Sequence, residues 1–238
     1  MSAPKTAAGV KAALRKQADP VKAPILRRFF KTGPGEYAEG DQFLGVSVPT
    51  QRKIAREFRG ISLAETKKLL VSKMHEDRLT GLILLVDSYE RGTEAEKREI
   101  FKAYLASTKH INNWDLVDTS AAQIVGRYLL DKSRARLRAL AKSKSLWERR
   151  IAIIATFAFI NKGEHRDTFE IARLLMKDEH DLIHKAVGWM LREVGKRVDV
   201  KHLRAFLAEH APSMPRTALR YALEHLPAAE RQRFMKQK

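Results

Sequence analysis

Apolar stretches with helical spacing recur along this chain at a near-constant interval, and that recurrence constrains its fold more than any single residue does. The stretches RLTGLILLVDSY, WDLVDTSAAQIV, WERRIAIIATFAF, IHKAVGWMLREV and MPRTALRYALEHL begin at Arg78, Trp114, Trp147, Ile183 and Met214, at offsets of 36, 33, 36 and 31 residues. More polar, charge-rich helical segments lie between them, at 93–107, 134–142, 167–176 and 200–209. Through most of the chain apolar residues fall three and four apart, as in Ile54 with Phe58 and Leu82 with Leu85 and Val86, and sustained period-two runs are scarce. Such spacing predicts an all-α chain.

A single helix pair of this period cannot bury its apolar face alone, so each pair must stack on its neighbours. The expected fold is therefore all-α, a curved α-α superhelix or solenoid of HEAT-like two-helix repeats, with one helix set lining the concave wall. The irregular stretch TGPGEYAEGD at 32–41 carries three glycines and a proline, a composition that breaks helices. It divides a single repeat domain, 1–238, into an N-terminal helix pair at 1–31, a loop at 32–48 and repeats from 49 to 238. Glu36, Glu39 and Asp41 lie in that loop, which matches no nucleotide-binding fingerprint.

The first 18 residues contain no acid. They read either as a weak organellar transit segment or as an amphipathic first helix carrying Val10 and Leu14, and the helix is the reading adopted. No stretch approaches the run of about 20 apolar residues that a membrane span requires, so no membrane association is expected. Cysteine is absent, which excludes a disulfide framework, a thiolate nucleophile and cysteine-ligated zinc and fits a reducing compartment.

Forty-six Lys and Arg against 28 Asp and Glu give a formal charge of +18. An excess of that size attracts phosphate backbones over long range, with binding that weakens as salt rises. Arg149, Arg150, Lys185, Arg192, Lys196, Arg197, Arg216 and Arg220 recur over successive repeats and are candidates for a basic stripe. A solvated basic surface is the other reading. All three tryptophans, Trp114, Trp147 and Trp189, fall in neighbouring apolar helices, where each is either a site aromatic or a core residue.

Asp118 follows Trp114 by four residues, which on a helix puts a carboxylate and an indole on one face. Asp115 reads instead as an acid favoured by the helix N-terminal dipole, and Asp118 itself can be read as a salt-bridge partner. His180 and His184 have the i, i+4 spacing of paired metal ligands, but no third ligand accompanies them, so no metal is assigned.

On the segments RRFFKTGPGEYAEGDQFLGVSVPTQRK, NNWDLVDTS, LWERRIAI and IHKAVGWMLRE, the chain resembles the AlkD-type DNA alkylation repair glycosylases. These are HEAT-like repeat enzymes that excise cationic alkylpurines from duplex DNA, and the likeness extends over most of the chain. The resemblance implies that Asp118 is the catalytic carboxylate, that Trp114 and Trp189 contact the deoxyribose of the lesion nucleotide, and that Arg150 grips the backbone beside it. Phe29 stands where a relative has a tyrosine, keeping the ring and losing the hydroxyl. The family resembles a clamp working on the sugar from the backbone side, unlike glycosylases that flip the base into a pocket.

The expected function is that of a monofunctional glycosylase that hydrolyses the N-glycosidic bond of N3- or N7-alkylated purines and leaves an abasic site. No lysine advertises itself as the desolvated amine of a lyase. No cofactor is expected; the partner is double-stranded DNA containing alkylated bases, the working unit a monomer and the location the bacterial cytosol and nucleoid. Two other readings use the same repeats: a non-catalytic binder of unusual DNA structures, and a protein-binding scaffold whose partner would have to be acidic.

Overall fold

Short polar caps set where the helices of this chain begin. Thr6, Ser47, Ser62 and Ser145 each accept the backbone N–H of a residue three further on, at Gly9, Thr50, Glu65 and Glu148, which satisfies a donor that a helix start leaves open. At Thr93 the bond is reciprocal, since the Glu96 carboxylate accepts the Thr93 N–H at 2.7 Å. In the computed structural model, residues 5–237 are described. Their helices are α1 (Ala7–Lys16), α2 (Lys22–Phe29), α3 (Val48–Glu57), α4 (Leu63–Leu70), α5 (His75–Arg91), α6 (Glu94–Ala106), α7 (Trp114–Ala121), α8 (Ala135–Ala141), α9 (Leu146–Ala155), α10 (Phe157–Ile160), α11 (Arg166–Leu175), α12 (Asp181–Arg197), α13 (Val200–His210), α14 (Arg216–Ala222) and α15 (Ala228–Lys236). Extended pairing among the described residues is limited to an isolated bridge between Gln42 and Met74.

The fold class is the all-α repeat class expected from the periodicity. The apolar helices expected at Arg78, Trp114, Trp147, Ile183 and Met214 start at His75, Trp114, Leu146, Asp181 and Arg216. The polar helices between them are α6, α8, α11 and α13. None of the described helices is long and apolar enough to cross a membrane.

The chain divides after Ser120 into two compact units. In the first, α1 packs on α3 and α4, and these pack on α5. Val10, Leu14, Val46, Ile54, Ile61, Leu69 and Leu84 fill the space among them. The amphipathic reading of the N-terminus therefore holds for α1, while residues 1–4 lie outside the described residues. The expected loop runs between α2 and α3, but it is anchored, with Ala38, Asp41, Phe43 and Val46 buried. Its acids Glu36 and Glu39 accept the N–H groups of Gly33 and Gly35 at 2.8 and 3.0 Å. Gly45 has φ of +85°, and a Cβ there would stand 2.2 Å from the Asp19 carbonyl oxygen, so both backbone angle and space demand glycine.

In the second unit α8 packs on α9, α9 and α11 on α12, α12 on α13 and α14, and α14 on α15. Its core comprises Ile151, Ile154, Phe159, Ile171, Leu191, Leu207 and Leu219, among others. This unit opens with a π-helical turn, Ala122–Gly126, an irregularity frequent near functional sites.

Candidate active site

α7 carries the two residues that stand out in the sequence. Trp114 is its first residue and Asp118 lies one turn on, so both leave the helix on one face. Both are partly exposed. The opposite face is locked: Ser120 donates to the Leu116 carbonyl at 2.6 Å, so the buried Tyr104 hydroxyl, 2.9 Å from Ser120 Oγ, donates to that oxygen. Burial chiefly, and the Asp118 charge in addition, push the Tyr104 phenol above its ordinary range.

Trp114 heads a column of rings. Its indole stacks on Phe30 at 5.3 Å, Phe30 on Phe43 at 5.1 Å, and Phe43 on the imidazole of His75 at 4.5 Å between centroids. Phe29 meets the indole edge-on at 5.9 Å and is 60% exposed. The adjacent phenylalanines thus divide the work, Phe30 backing the indole from within and Phe29 flanking it at the surface.

Beneath the column lies a buried ionic cluster. His75 Nε2 is 2.7 Å from Asp115 Oδ2 and Nδ1 is 3.4 Å from Asp41 Oδ2. Asp41 also accepts from Arg78 at 2.7 Å and from the Asn112 amide at 3.2 Å. Burial is the largest influence on His75 and opposes its charge, but the Asp115 charge and the hydrogen bonds to both aspartates outweigh it and raise its pKa. A protonated ring donates from both nitrogens, as this geometry requires. For Asp41, burial is again the largest influence and is outweighed, by the His75 hydrogen bond and the Arg78 charge, so that its pKa is lowered.

All four residues of the segment His75-Glu76-Asp77-Arg78 are buried although all are polar. Glu76 accepts the backbone N–H groups of Leu44, Gly45 and Val46 at 2.9, 2.8 and 3.2 Å. Asp77 accepts from Ser72 at 2.7 Å and from Arg15 at 3.2 Å. The start of α5 thereby fixes the loop that brings Asp41 and Phe43 under α7.

In the second unit, Trp189 lies on α12, partly exposed, 6.3 Å from the Phe157 ring. Arg150 is 5% exposed and donates to the Leu182 carbonyl. Lys185 pairs with Asp181 at 2.7 Å, and Arg192 with Glu193 at 3.3 Å and with Glu224. Trp147 is a core residue. His180 Nδ1 accepts the Leu182 N–H at 3.1 Å, and His184 Nε2 bonds to the Asp178 carbonyl oxygen, so local backbone engages one nitrogen of each imidazole.

Residues 10–226 match the family model described as DNA alkylation repair enzyme. The chain belongs to the DNA alkylation repair enzyme family. A solved structure described as a predicted DNA alkylation repair enzyme from Enterococcus faecalis is similar to it, with a TM-score of 0.68 and 16% identity over 89% of this chain and 98% of that one. At that identity the likeness shows a shared fold. No curated protein matches.

Within this DNA alkylation repair family member, the first unit brings together Phe29, Trp114 and Asp118 of the sequence-derived residues. Asp115 is at the helix N-terminus as expected, and in addition bonds to His75. Sequence reasoning missed Phe30, Asp41, Phe43, His75, Arg78 and Asn112. The available signal was four consecutive polar residues, HEDR, opening a helix whose next eight residues are mostly apolar. A charged turn at such a place has to find internal partners.

A second missed signal is a repeated heptapeptide. SKMHEDR at 72–78 and SKSLWER at 143–149 share Ser-Lys, three variable residues, an acid and Arg. Arg78 donates to the carbonyls of Ser72 and Lys73 and to Asp41. Arg149 donates to the carbonyls of Ser143 and Lys144 and to Asp178. In each unit the fourth residue of an apolar helix thus ties down the turn before it.

Proposed function

We propose that this protein is a monofunctional DNA glycosylase that releases cationic N3- or N7-alkylated purines from duplex DNA. One observation carries the reading: Trp114 and Asp118 share a face of α7 one turn apart, with the indole braced by the Phe30–Phe43–His75 column and flanked by exposed Phe29. A carboxylate beside a ring face suits a sugar that gains oxocarbenium character as its base departs. An indole face also favours cationic character nearby.

In the proposed reaction the C1′–N bond breaks and its electron pair goes to the purine, whose positive charge is thereby neutralised. Water supplies the oxygen that bonds to C1′, and its surplus proton passes by way of Asp118 to solvent. An abasic site remains. Asp118 stabilises the cationic sugar and orients the water, while Trp114 and Phe29 flank the sugar; Trp189, in the second unit, is assigned to the DNA. Lys185 and Arg192 are assigned to the DNA backbone, and Arg150, whose guanidinium donates to the Leu182 carbonyl, to ordering the surface beside them; the protein works as a monomer in the bacterial cytosol without a cofactor. The charge of +18 supports the DNA partner.

The test is release of free alkylated base from methylated duplex DNA by the parent protein and by Asp118→Asn. Release by the parent and none by the variant, with DNA affinity kept or raised, is the expected result. A folded, DNA-binding parent that releases nothing would replace this reading with a non-catalytic binder of DNA structure.

A further inference from the structure

We propose that His75 is a positioning residue for Trp114 and Asp118, acting through Asp115 and through the Phe43–Phe30 ring column; the proposal rests on the glycosylase reading of those two residues. Two tethers join His75 to α7 by separate routes. The first is polar: Nε2 holds Asp115 at 2.7 Å, and Asp115 lies between Trp114 and Asp118 in the first turn. A helix advances about 100° per residue, so pinning Asp115 sets the direction in which both neighbours point. The second is apolar, since the imidazole supports Phe43, Phe43 supports Phe30, and Phe30 supports the indole.

The surroundings fit a registering device better than a stabilising one. His75, Asp41 and Arg78 are all at least nine-tenths buried, and burying charges costs more than an apolar core of the same volume would. What such a cluster provides is direction, because each charge accepts few alternative placements. The segment leading into α7 is tied in the same way: Asn112 reaches Asp41 at 3.2 Å, and the fully buried Asn113 accepts the Trp114 N–H through Oδ1 at 2.8 Å. His75 itself is fixed from the loop by Asp41 and Phe43, from its own helix by Arg78, which shares Asp41, and from α7 by Asp115. It touches neither sugar nor base in the proposed reaction.

His75→Phe retains the ring column and removes both hydrogen bonds, whereas His75→Gln can still donate to Asp115. Because small misplacements of reacting groups carry large rate penalties, His75→Phe should slow single-turnover base release by about tenfold or more while the DNA dissociation constant stays within about twofold, and His75→Gln should recover most of the rate. A fluorine readout keeps this separate from activity. Protein carrying 5-fluorotryptophan has three labelled sites, and the Trp114 resonance is identified by its loss in Trp114→Phe. His75→Phe should move that resonance and leave those of Trp147 and Trp189 in place. A folded His75→Phe with parental release, or with the Trp114 resonance unmoved, overturns the proposal; if that variant does not fold, Asp115→Asn is judged by the same release criterion. If the parent releases no base, the glycosylase reading fails by itself, and the Trp114 resonance alone decides whether His75 positions the indole.

Discussion

Arg149 Nε donates to Asp178 Oδ2 at 2.5 Å, and its Nη1 donates to the carbonyls of Ser143 and Lys144 at 3.1 and 2.9 Å. The sequence alone makes Arg149 a candidate for the phosphate-binding stripe, yet its guanidinium is spent on an internal clasp. Asp178 is itself a hub, accepting the His180 N–H at 2.9 Å and bonding through its carbonyl oxygen to His184. Arg149→Ala would leave the buried Asp178 carboxylate without its counter-ion. It is expected to cost about 3 kcal/mol of stability and to leave the salt dependence of DNA binding unchanged. Urea unfolding and binding titrations at several salt concentrations check both halves; a flatter salt slope would return Arg149 to the phosphate contacts.

Gly188 lies where α12 crosses α14. A Cβ there would stand 2.3 Å from the Ala218 carbonyl oxygen and 2.5 Å from Tyr221 Cβ. Alanine in place of glycine inside a helix ordinarily gains up to about 1 kcal/mol. Here the contact is with a backbone atom that cannot swing aside, so overpacking decides the sign. Gly188→Ala should lower stability by about 2 kcal/mol, measured as a fall in Tm, and should change the fluorescence of the adjoining Trp189.

The buried cluster predicts a pH dependence with a definite sign. His75 has a folded pKa above its ordinary value of 6.5, so the folded state binds more protons in that interval. Its stabilisation is complete below the ordinary value and is lost as pH rises through the folded one. Asp41 has a folded pKa below its ordinary value of 3.8, so its stabilisation is present above that value and is lost on acidification. Stability should therefore decline on the alkaline side of the ordinary histidine range. Unfolding free energies measured by urea titration from neutral to mildly alkaline pH should lose that decline in His75→Gln; a variant with the parental slope would show that another group titrates.

Much of the architecture was legible because helical periodicity is a local property. The apolar helix expected at Trp114 begins there, those expected at Arg78, Trp147, Ile183 and Met214 begin within a few residues of the expected positions, and the polar helices fall between them. Trp114 and Asp118 could be paired for the same reason, since four residues on a helix fix a common face. Phe29 was legible only through family likeness, because its closeness to Trp114 depends on how α2 and the following loop run.

The cluster under Trp114 left one local trace, the polar run HEDR at 75–78, which calls for internal partners without saying which. Asp41, His75, Asn112 and Asp115 come from a loop, the start of α5 and the start of α7, and nothing in the spacing of those segments says that they meet. Arg149 and Arg150 are adjacent in sequence, and the chain's net charge suits both to phosphate equally. The sequence by itself determined the all-α repeat class, the helix boundaries to within a few residues, the basic character and the shared face of Trp114 and Asp118, because these follow from short-range spacing and from totals. Only the tertiary structure decided which charges are turned inward and which aromatic rings stack, because desolvation and ion pairing depend on which distant segments are brought within a few ångströms of one another.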